Sequence, residues 1–175
     1  MTPDERRLVL SLVTAPTAGP ELSREEFLRQ FGSSDGQALG LQLLKDAVDR
    51  QDGVDVEMAL IVSSAFGVTP DHLDPLVSLV SADWHVKHED VVVALDRLRS
   101  PEAVDALYAA TQWVPPYLEF DENLTLARKA IRALAAIPGE EAERALLRLL
   151  DSADDVMRRR AEEQLKRRKA PDHPM

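Results

Sequence analysis

The sequence predicts an all-α fold, a short right-handed α-solenoid of about four helical hairpins behind an atypical N-terminal helical cap. Apolar residues recur at helical spacing along most of the chain, without the sustained alternation that strands show. Residues 69–74 are matched 31 positions later by residues 100–105, and Ala130 and Leu134 are matched by Ala161 and Leu165 at the same interval. Aromatic residues make up only 5% of the chain, so small apolar residues must fill the core, which suits closely stacked helices.

The periodicity and the positions of helix-starting and helix-ending residues predict ten helices. Ser23 stands three residues before Glu26, the spacing of a capping box, and Ser100 precedes Pro101 at a first helical position. Pro75 would break a helix that began at Pro70, so the fifth helix is expected to start at Pro75 with Asp74 as its cap. The expected ranges are 4–13, 24–31, 37–51, 54–66, 75–81, 85–98, 101–111, 122–137, 140–150 and 155–168.

The expected organisation is one single structural domain. Residues 1–53 repeat less clearly and are expected to form the helical capping region, residues 54–169 the repeats, and residues 170–175 a disordered tail. Residues 14–20 are expected to form a loop, and Gly32, Gly53, Gly67 and Gly139 are expected to lie between helices. One repeat, near 85–123, is eight residues longer than its neighbours, and the surplus falls in residues 112–120. Insertions of this kind form loops on one edge of an array, often the binding edge.

The charge of the chain is −10, and it is unevenly distributed. Residues 1–157 carry 14 basic and 28 acidic side chains, whereas residues 158–169 carry seven basic and two acidic ones. An acidic body disfavours a nucleic-acid partner and favours a basic protein partner. The absence of cysteine excludes disulfides and thiolate chemistry. No apolar run is long enough to span a membrane and no secretion signal is recognisable, so a cytoplasmic location without membrane contact is expected.

Residues 122–142 join an Ala/Arg-rich first helix through a Pro-Gly turn to a Glu/Ala-rich second helix. This pattern resembles the HEAT-type repeat, in particular the short variety also found in phycobilisome lyases, and residues 154–158 look like the start of another copy. The resemblance covers roughly residues 54–168 and implies a HEAT-like protein of bacterial type. Repeats of this family serve as scaffolds, adaptors, inhibitors and, rarely, enzymes.

The densest polar cluster lies at residues 83–90. Trp84, His85, His88 and Glu89 belong to it, and two imidazoles with one carboxylate are a ligand set that divalent metals accept. The structural alternative is that Asp83 caps the predicted helix, Trp84 packs at its start, and His88 joins the apolar stripe. The spacing differs from that of zinc peptidases, in which the glutamate lies between the histidines.

The predicted inserted loop carries Trp113 and Tyr117 beside Glu119 and Asp121. Trp and Tyr are the residues that most often anchor protein interfaces. The repeat offset aligns Trp84 with Asn123, which predicts that the loop lies alongside the 83–90 cluster. The alternative is that the aromatic side chains only cover the gap between neighbouring repeats.

Arg128 and Arg132 are four residues apart on one predicted helix face. Together they can clamp a carboxylate or a phosphate, or else pair with Asp121 and Glu122. The basic segment 158–169 is expected to be a solvated terminal helix.

The function predicted from the sequence is that of a non-catalytic protein-protein interaction module, an adaptor or scaffold, that needs no cofactor and has no catalytic residues. Two alternatives stay open: a toxin-neutralising immunity protein, and a metal-binding module or enzyme using His85, His88 and Glu89. The predicted partner-binding residues are Trp84, His85, His88, Glu89, Trp113, Tyr117, Glu119, Asp121 and Arg128.

Overall fold

The computed structural model of the chain describes residues 1–13, 22–121 and 124–169. Every regular element in this part of the chain is helical, which confirms the all-α prediction. The predicted loop 14–20, the tail 170–175 and the first two residues of the predicted helix 122–137 lie outside the described residues. Contacts divide the chain into two compact units, Met1–Lys87 and His88–Met175. The predicted boundary after residue 53 follows the repeat pattern and stays a prediction.

The first unit contains five α-helices among its described residues. Helices α3 and α4 form its largest packing contact, and they approach closely at Gly40, where a Cβ atom would lie 2.8 Å from the Ser63 hydroxyl. The helices are α1 (Pro3–Leu10), α2 (Arg24–Phe31), α3 (Gly36–Arg50), α4 (Gly53–Phe66) and α5 (Leu73–Leu79).

A buried carboxylate ties α1, α3 and α4 together. Asp55 on α4 is fully buried and accepts hydrogen bonds from Arg6 Nε at 2.7 Å, from Arg50 at 2.8 Å and from the amino terminus. Burial by itself would raise the pKa of Asp55, but these hydrogen bonds lower it below its ordinary value of 3.8. The Asp55 carboxylate therefore stays ionised inside the unit because three donors surround it.

The second unit also contains five α-helices in its described part. Helix α8 packs against all four others, and its buried face carries Ala127, Ala130, Ile131 and Leu134. Small residues on this face let the neighbouring helices approach closely. The helices are α6 (His88–Leu98), α7 (Val104–Gln112), α8 (Thr125–Ala136), α9 (Glu140–Arg148) and α10 (Asp155–Lys169).

Arg168 on α10 caps the carboxyl end of α8. Its guanidinium donates to the carbonyl oxygens of Ala135 at 2.9 Å, Ile137 at 2.6 Å and Gly139 at 3.0 Å, with a longer contact to Leu134 at 3.4 Å. Ala135 lies in the last turn of α8, where a helix leaves its carbonyls without intrahelical donors, and Ile137 and Gly139 lie in the turn that follows. A cation at this end also interacts favourably with the helix dipole. One side chain therefore fixes the end of α10 against the end of α8.

The predicted start of α5 and the predicted position of Gly53 between two helices are wrong. Helix α5 begins at Leu73, directly after a short 3₁₀ turn at Pro70–His72, so Asp74 is not its cap. Pro75 is tolerated as the third residue because the first amides of a helix have no intrahelical acceptor. Gly53 is the first residue of α4 rather than a linker residue, with Asp52 accepting from the amides of the next turn.

The capping box predicted at Ser23 is only half formed. The Ser23 hydroxyl accepts from the Glu26 amide at 3.1 Å, as the spacing predicts. The Glu26 carboxylate instead binds Arg29 and Gln30 on its own helix. The start of α2 at Arg24 is nevertheless the predicted one.

Replacing Arg168 by alanine should lower the free energy of unfolding by about 2 kcal/mol, since several carbonyls at the end of α8 lose a charged donor. Chemical denaturation followed by circular dichroism measures this change. Arg159→Ala is the matched control, because Arg159 is exposed on the same helix and has no hydrogen-bond partner among the described residues. We expect the control to change stability by less than about 0.5 kcal/mol. Equal unfolding midpoints for the two variants would contradict the capping role.

Candidate functional site

Residues 113–121, which follow α7, form an irregular loop with a defined backbone conformation. Trp113 leaves α7 in an extended conformation, Pro115 follows it, and a 3₁₀ turn covers Pro116–Leu118. We call residues 113–121 the insertion loop. Proline fixes the backbone angle φ at two successive positions, which reduces the conformational freedom of this loop.

The insertion loop is anchored on His88, the first residue of α6. The imidazole is 1% exposed and stacks on the Tyr117 ring at 5.6 Å, while the Trp113 ring meets it edge-on at 4.9 Å. The Tyr117 hydroxyl accepts from the His88 backbone amide at 3.3 Å and is bonded to His88 Nδ1 at 3.0 Å. The prediction that His88 belongs to the apolar stripe of its helix is confirmed, since Val91, Val92 and Leu95 are buried with it.

Burial raises the pKa of the Tyr117 hydroxyl above its ordinary value of 10.0, and the nearby charges of Glu89 and Asp90 act in the same direction. The hydrogen bond from the His88 amide opposes this shift without reversing it. Tyr117 is therefore a neutral phenol at physiological pH. Its hydroxyl can accept from the amide and donate to the imidazole at the same time.

The outer side of the insertion loop is apolar and exposed. Phe120 is 91% exposed, Val114 is 53% exposed, and the Tyr117 ring is 40% exposed. Phe120 was not among the residues predicted from the sequence, although a large aromatic residue at the end of an inserted loop is a recognisable signal. Three exposed apolar side chains on one short loop form the kind of patch that marks a binding surface.

An apolar cleft of about 210 Å³ lies beside the insertion loop, within the second unit. Its walls come from the end of α7, the loop itself, and the first turns of α8 and α10. The apolar lining residues are Trp113, Val114, Pro115, Leu118, Leu124, Leu126, Ala127 and Met157.

Two carboxylates, Asp121 and Asp154, also line this cleft. Asp121 accepts from the Thr125 amide at 2.7 Å and so helps to start α8. Asp154 accepts from the Val156 and Met157 amides at 2.8 and 3.0 Å, which makes it the cap of α10. Each carboxylate lines the cleft and also stabilises a helix start.

The predicted helix start at His85 is wrong, because α6 begins at His88. His85 is buried, and its Nε2 donates to the Leu79 carbonyl at 2.8 Å while its Nδ1 accepts from the Lys87 amide at 3.0 Å. These bonds hold residues 85–87 in a non-helical turn, so His85 and His88 do not share a helix face. His85 also packs on Gly53, where a Cβ atom would lie 3.2 Å from its Cα.

The remaining predicted residues are dispersed. Trp84 belongs to the first unit, where it is half-buried, packs against His85 and lines a groove beside Gly53. Glu89 forms a salt bridge with Lys129 Nζ at 2.6 Å. Glu119 is exposed on the insertion loop. Arg128 is exposed on α8 and lines a different groove from the cleft.

The structure gives no support to the metal-binding alternative. Both ring nitrogens of His85 are used by backbone groups, and Glu89 is paired with Lys129. In the part of the chain that the structure describes, no three His, Asp or Glu side chains are grouped to hold a metal ion.

Compared with known proteins, the chain matches no family model, no curated protein and no solved structure. The resemblance to HEAT-type repeats therefore stays a prediction. None of the described helices combines the length and the apolar character needed to cross a bilayer.

Stability should fall as the pH drops below about 6.5, the ordinary histidine value. Burial lowers the pKa of His72 and of His85 below that value, so the unfolded chain takes up protons there that the folded chain does not. Asp55 adds a similar loss only below its ordinary value of 3.8. Denaturant unfolding at several pH values checks this, and His85→Gln should reduce the pH dependence. A free energy of unfolding that stays constant through this range would contradict it.

Replacing Tyr117 by phenylalanine should lower the free energy of unfolding by about 1–2 kcal/mol, because the His88 amide and Nδ1 lose a hydrogen-bond partner. Amide hydrogen exchange at His88 should become faster. Tyr108→Phe is the matched control, since Tyr108 packs its ring on Arg148 and its hydroxyl has no hydrogen-bond partner among the described residues. Unchanged exchange at His88 would show that the hydroxyl does not anchor the loop.

Proposed function

We propose that the chain is a non-catalytic protein-binding module whose docking site is the insertion loop together with the apolar cleft beside it. The observation that carries the proposal is the exposure of Phe120 (91%) next to Val114 and Tyr117 on a loop braced from inside by His88. A braced loop presents its outer side chains without a large ordering cost on binding, which favours affinity.

The chemistry of the cleft favours a basic partner that also offers an apolar side chain. The apolar walls suit one or two aliphatic or aromatic groups, as interface anchors require. Asp121 and Asp154 place negative charge on the lining, and exposed Glu119 adds to it on the loop. The acidic body as a whole attracts a cationic protein during diffusion.

Three of the four buried Asp and His side chains in the described residues support a non-catalytic function. Asp55 is held by Arg6 and Arg50, and His85 is bonded to two backbone groups. His88 lies against the loop aromatics. Each of these side chains has a structural role, whereas a catalytic acid or base must be within reach of a substrate.

We also propose that the second unit is a HEAT-like stack of helical hairpins. The packing of α6 on α8 and of α8 on α10, with α7 on α9, supports it, because equivalent helices of successive hairpins should lie side by side. The right-handed solenoid predicted for the whole chain would continue this stacking of hairpins, and it stays a prediction. An insertion between two hairpins is then expected at an edge of the stack.

The test is affinity capture from a lysate of the native cells, followed by reconstitution with the purified partner. We expect a protein retained by the wild type whose affinity falls at least about 30-fold with Phe120→Ala, as for an interface hot spot. Higher salt should weaken the complex, since the partner is expected to be basic.

Leu147→Ala is the matched control, because Leu147 is 43% exposed on α9 and does not line the cleft. This variant should retain the partner as the wild type does. The proposal is wrong if Phe120→Ala and Leu147→Ala bind equally well, or if no protein is retained in a loop-dependent way.

A further inference from the structure

A basic groove of about 380 Å³ lies between α8 and α10 of the second unit. It shares none of its lining residues with the apolar cleft. Five cationic side chains line it, three from one face of α8 and two from one face of α10. They are Arg128, Lys129, Arg132, Arg160 and Arg167.

This concentration of positive charge is unusual in such an acidic chain. Basic side chains number 21 in the whole sequence against 31 acidic ones, yet the described lining of the groove contains no carboxylate. The spacing of the α8 residues, 128, 129 and 132, and of the α10 residues, 160 and 167, places each set along one helix face. Packing of the two helices then brings both sets to one groove.

Only part of this charge is neutralised within the protein. Lys129 pairs with Glu89 at 2.6 Å and Arg132 pairs with Asp96 at 2.9 Å, both acids lying on α6 outside the groove. Arg128 and Arg167 have no ion-pair partner among the described residues. Two guanidinium groups are therefore available to a ligand without the loss of an internal salt bridge.

Arg160 gives a second indication that the groove suits an oxyanion. Its Nη1 donates to Glu163 at 3.0 Å, but its Nε is buried and has no hydrogen-bond partner among the described residues. A buried donor without an acceptor is energetically costly, by about 1–3 kcal/mol. Because Arg160 lines the groove, an oxyanion bound there would lie beside this residue and its unpaired donor.

We propose that the groove binds a small molecule that carries a phosphate or polyphosphate group. Arginine forks match the geometry of phosphate oxygens and form strong charge-assisted hydrogen bonds with them. The volume is in the range of small-molecule sites. Gln164 adds a neutral amide to the lining. This site is independent of the proposed docking site on the insertion loop.

A small phosphorylated ligand fits better than a nucleic acid. No aromatic side chain belongs to the described lining, so bases have no surface on which to stack. The acidic remainder of the chain repels an extended phosphate backbone. A compact polyanion contacts the groove alone and avoids that repulsion.

The test is calorimetric titration of the intact chain with inorganic tripolyphosphate at near-physiological salt. We expect saturable binding at one site per chain. The double variant Arg128→Gln/Arg167→Gln should weaken it at least about tenfold, since two charge-assisted contacts are lost. Both residues are exposed, so the variant should unfold at nearly the wild-type temperature.

Arg159→Gln is the charge-matched control, because Arg159 lies on the same helix but does not line the groove. It should weaken binding less than about twofold. Absence of binding to the wild type, or an equal loss in the control, would overturn the proposal. So would binding of a short DNA strand that needs Arg128 and Arg167 when tripolyphosphate does not bind, because the groove would then be a nucleic-acid surface.

Discussion

The attachment of α10 to α8 is the contact on which both candidate ligand surfaces depend. Asp154 and Met157 contribute to the apolar cleft at the start of α10, and Arg160 and Arg167 contribute to the basic groove farther along the same helix. Arg168 fixes the far end of α10 by donating to the terminal carbonyls of α8. A shift of α10 along α8 would therefore change the cleft and the groove together.

Both ends of α10 carry groups that its dipole favours, while Arg158, Arg159 and Arg160 lie within its first two turns. Asp154 caps the positive amino end, and Arg167 and Arg168 lie in the last turns near the negative carboxyl end. The residues of α10 that line the cleft and the groove give these two surfaces different ligand preferences. The acidic, apolar cleft suits a basic protein segment, whereas the cationic groove suits an oxyanion. One helix contributes to both surfaces because Asp154 and Met157 line the cleft, whereas Arg160, Gln164 and Arg167 line the groove.

The sequence was sufficient for elements whose signals are local. The apolar period and the cap at Ser23 predicted α2 with its observed bounds, and the surplus of residues 112–120 predicted the loop. The start of α6 was missed because His85 bonds to the Leu79 carbonyl and to the Lys87 amide, and neither bond has a signal in the apolar period or the capping residues. The basic groove could not be predicted from the sequence either. Arg128 and Arg132 were recognised as a pair on one helix face, but only the packing of α10 on α8 places Arg160 beside them.

Trp113 and Tyr117 have a structural role in addition to the predicted partner-binding role, which stays a prediction. Both were predicted to bind a partner, yet their rings enclose His88, and the Tyr117 hydroxyl is committed to that residue. Their substitution would disturb the loop and the start of α6, so a loss of binding could not be separated from a loss of structure. Phe120 differs from them because its side chain is almost fully exposed. Its substitution should therefore leave the fold of the loop intact. Trp113 and Tyr117 therefore hold the conformation of the loop through His88, and Phe120 is the most exposed aromatic side chain of the proposed docking site.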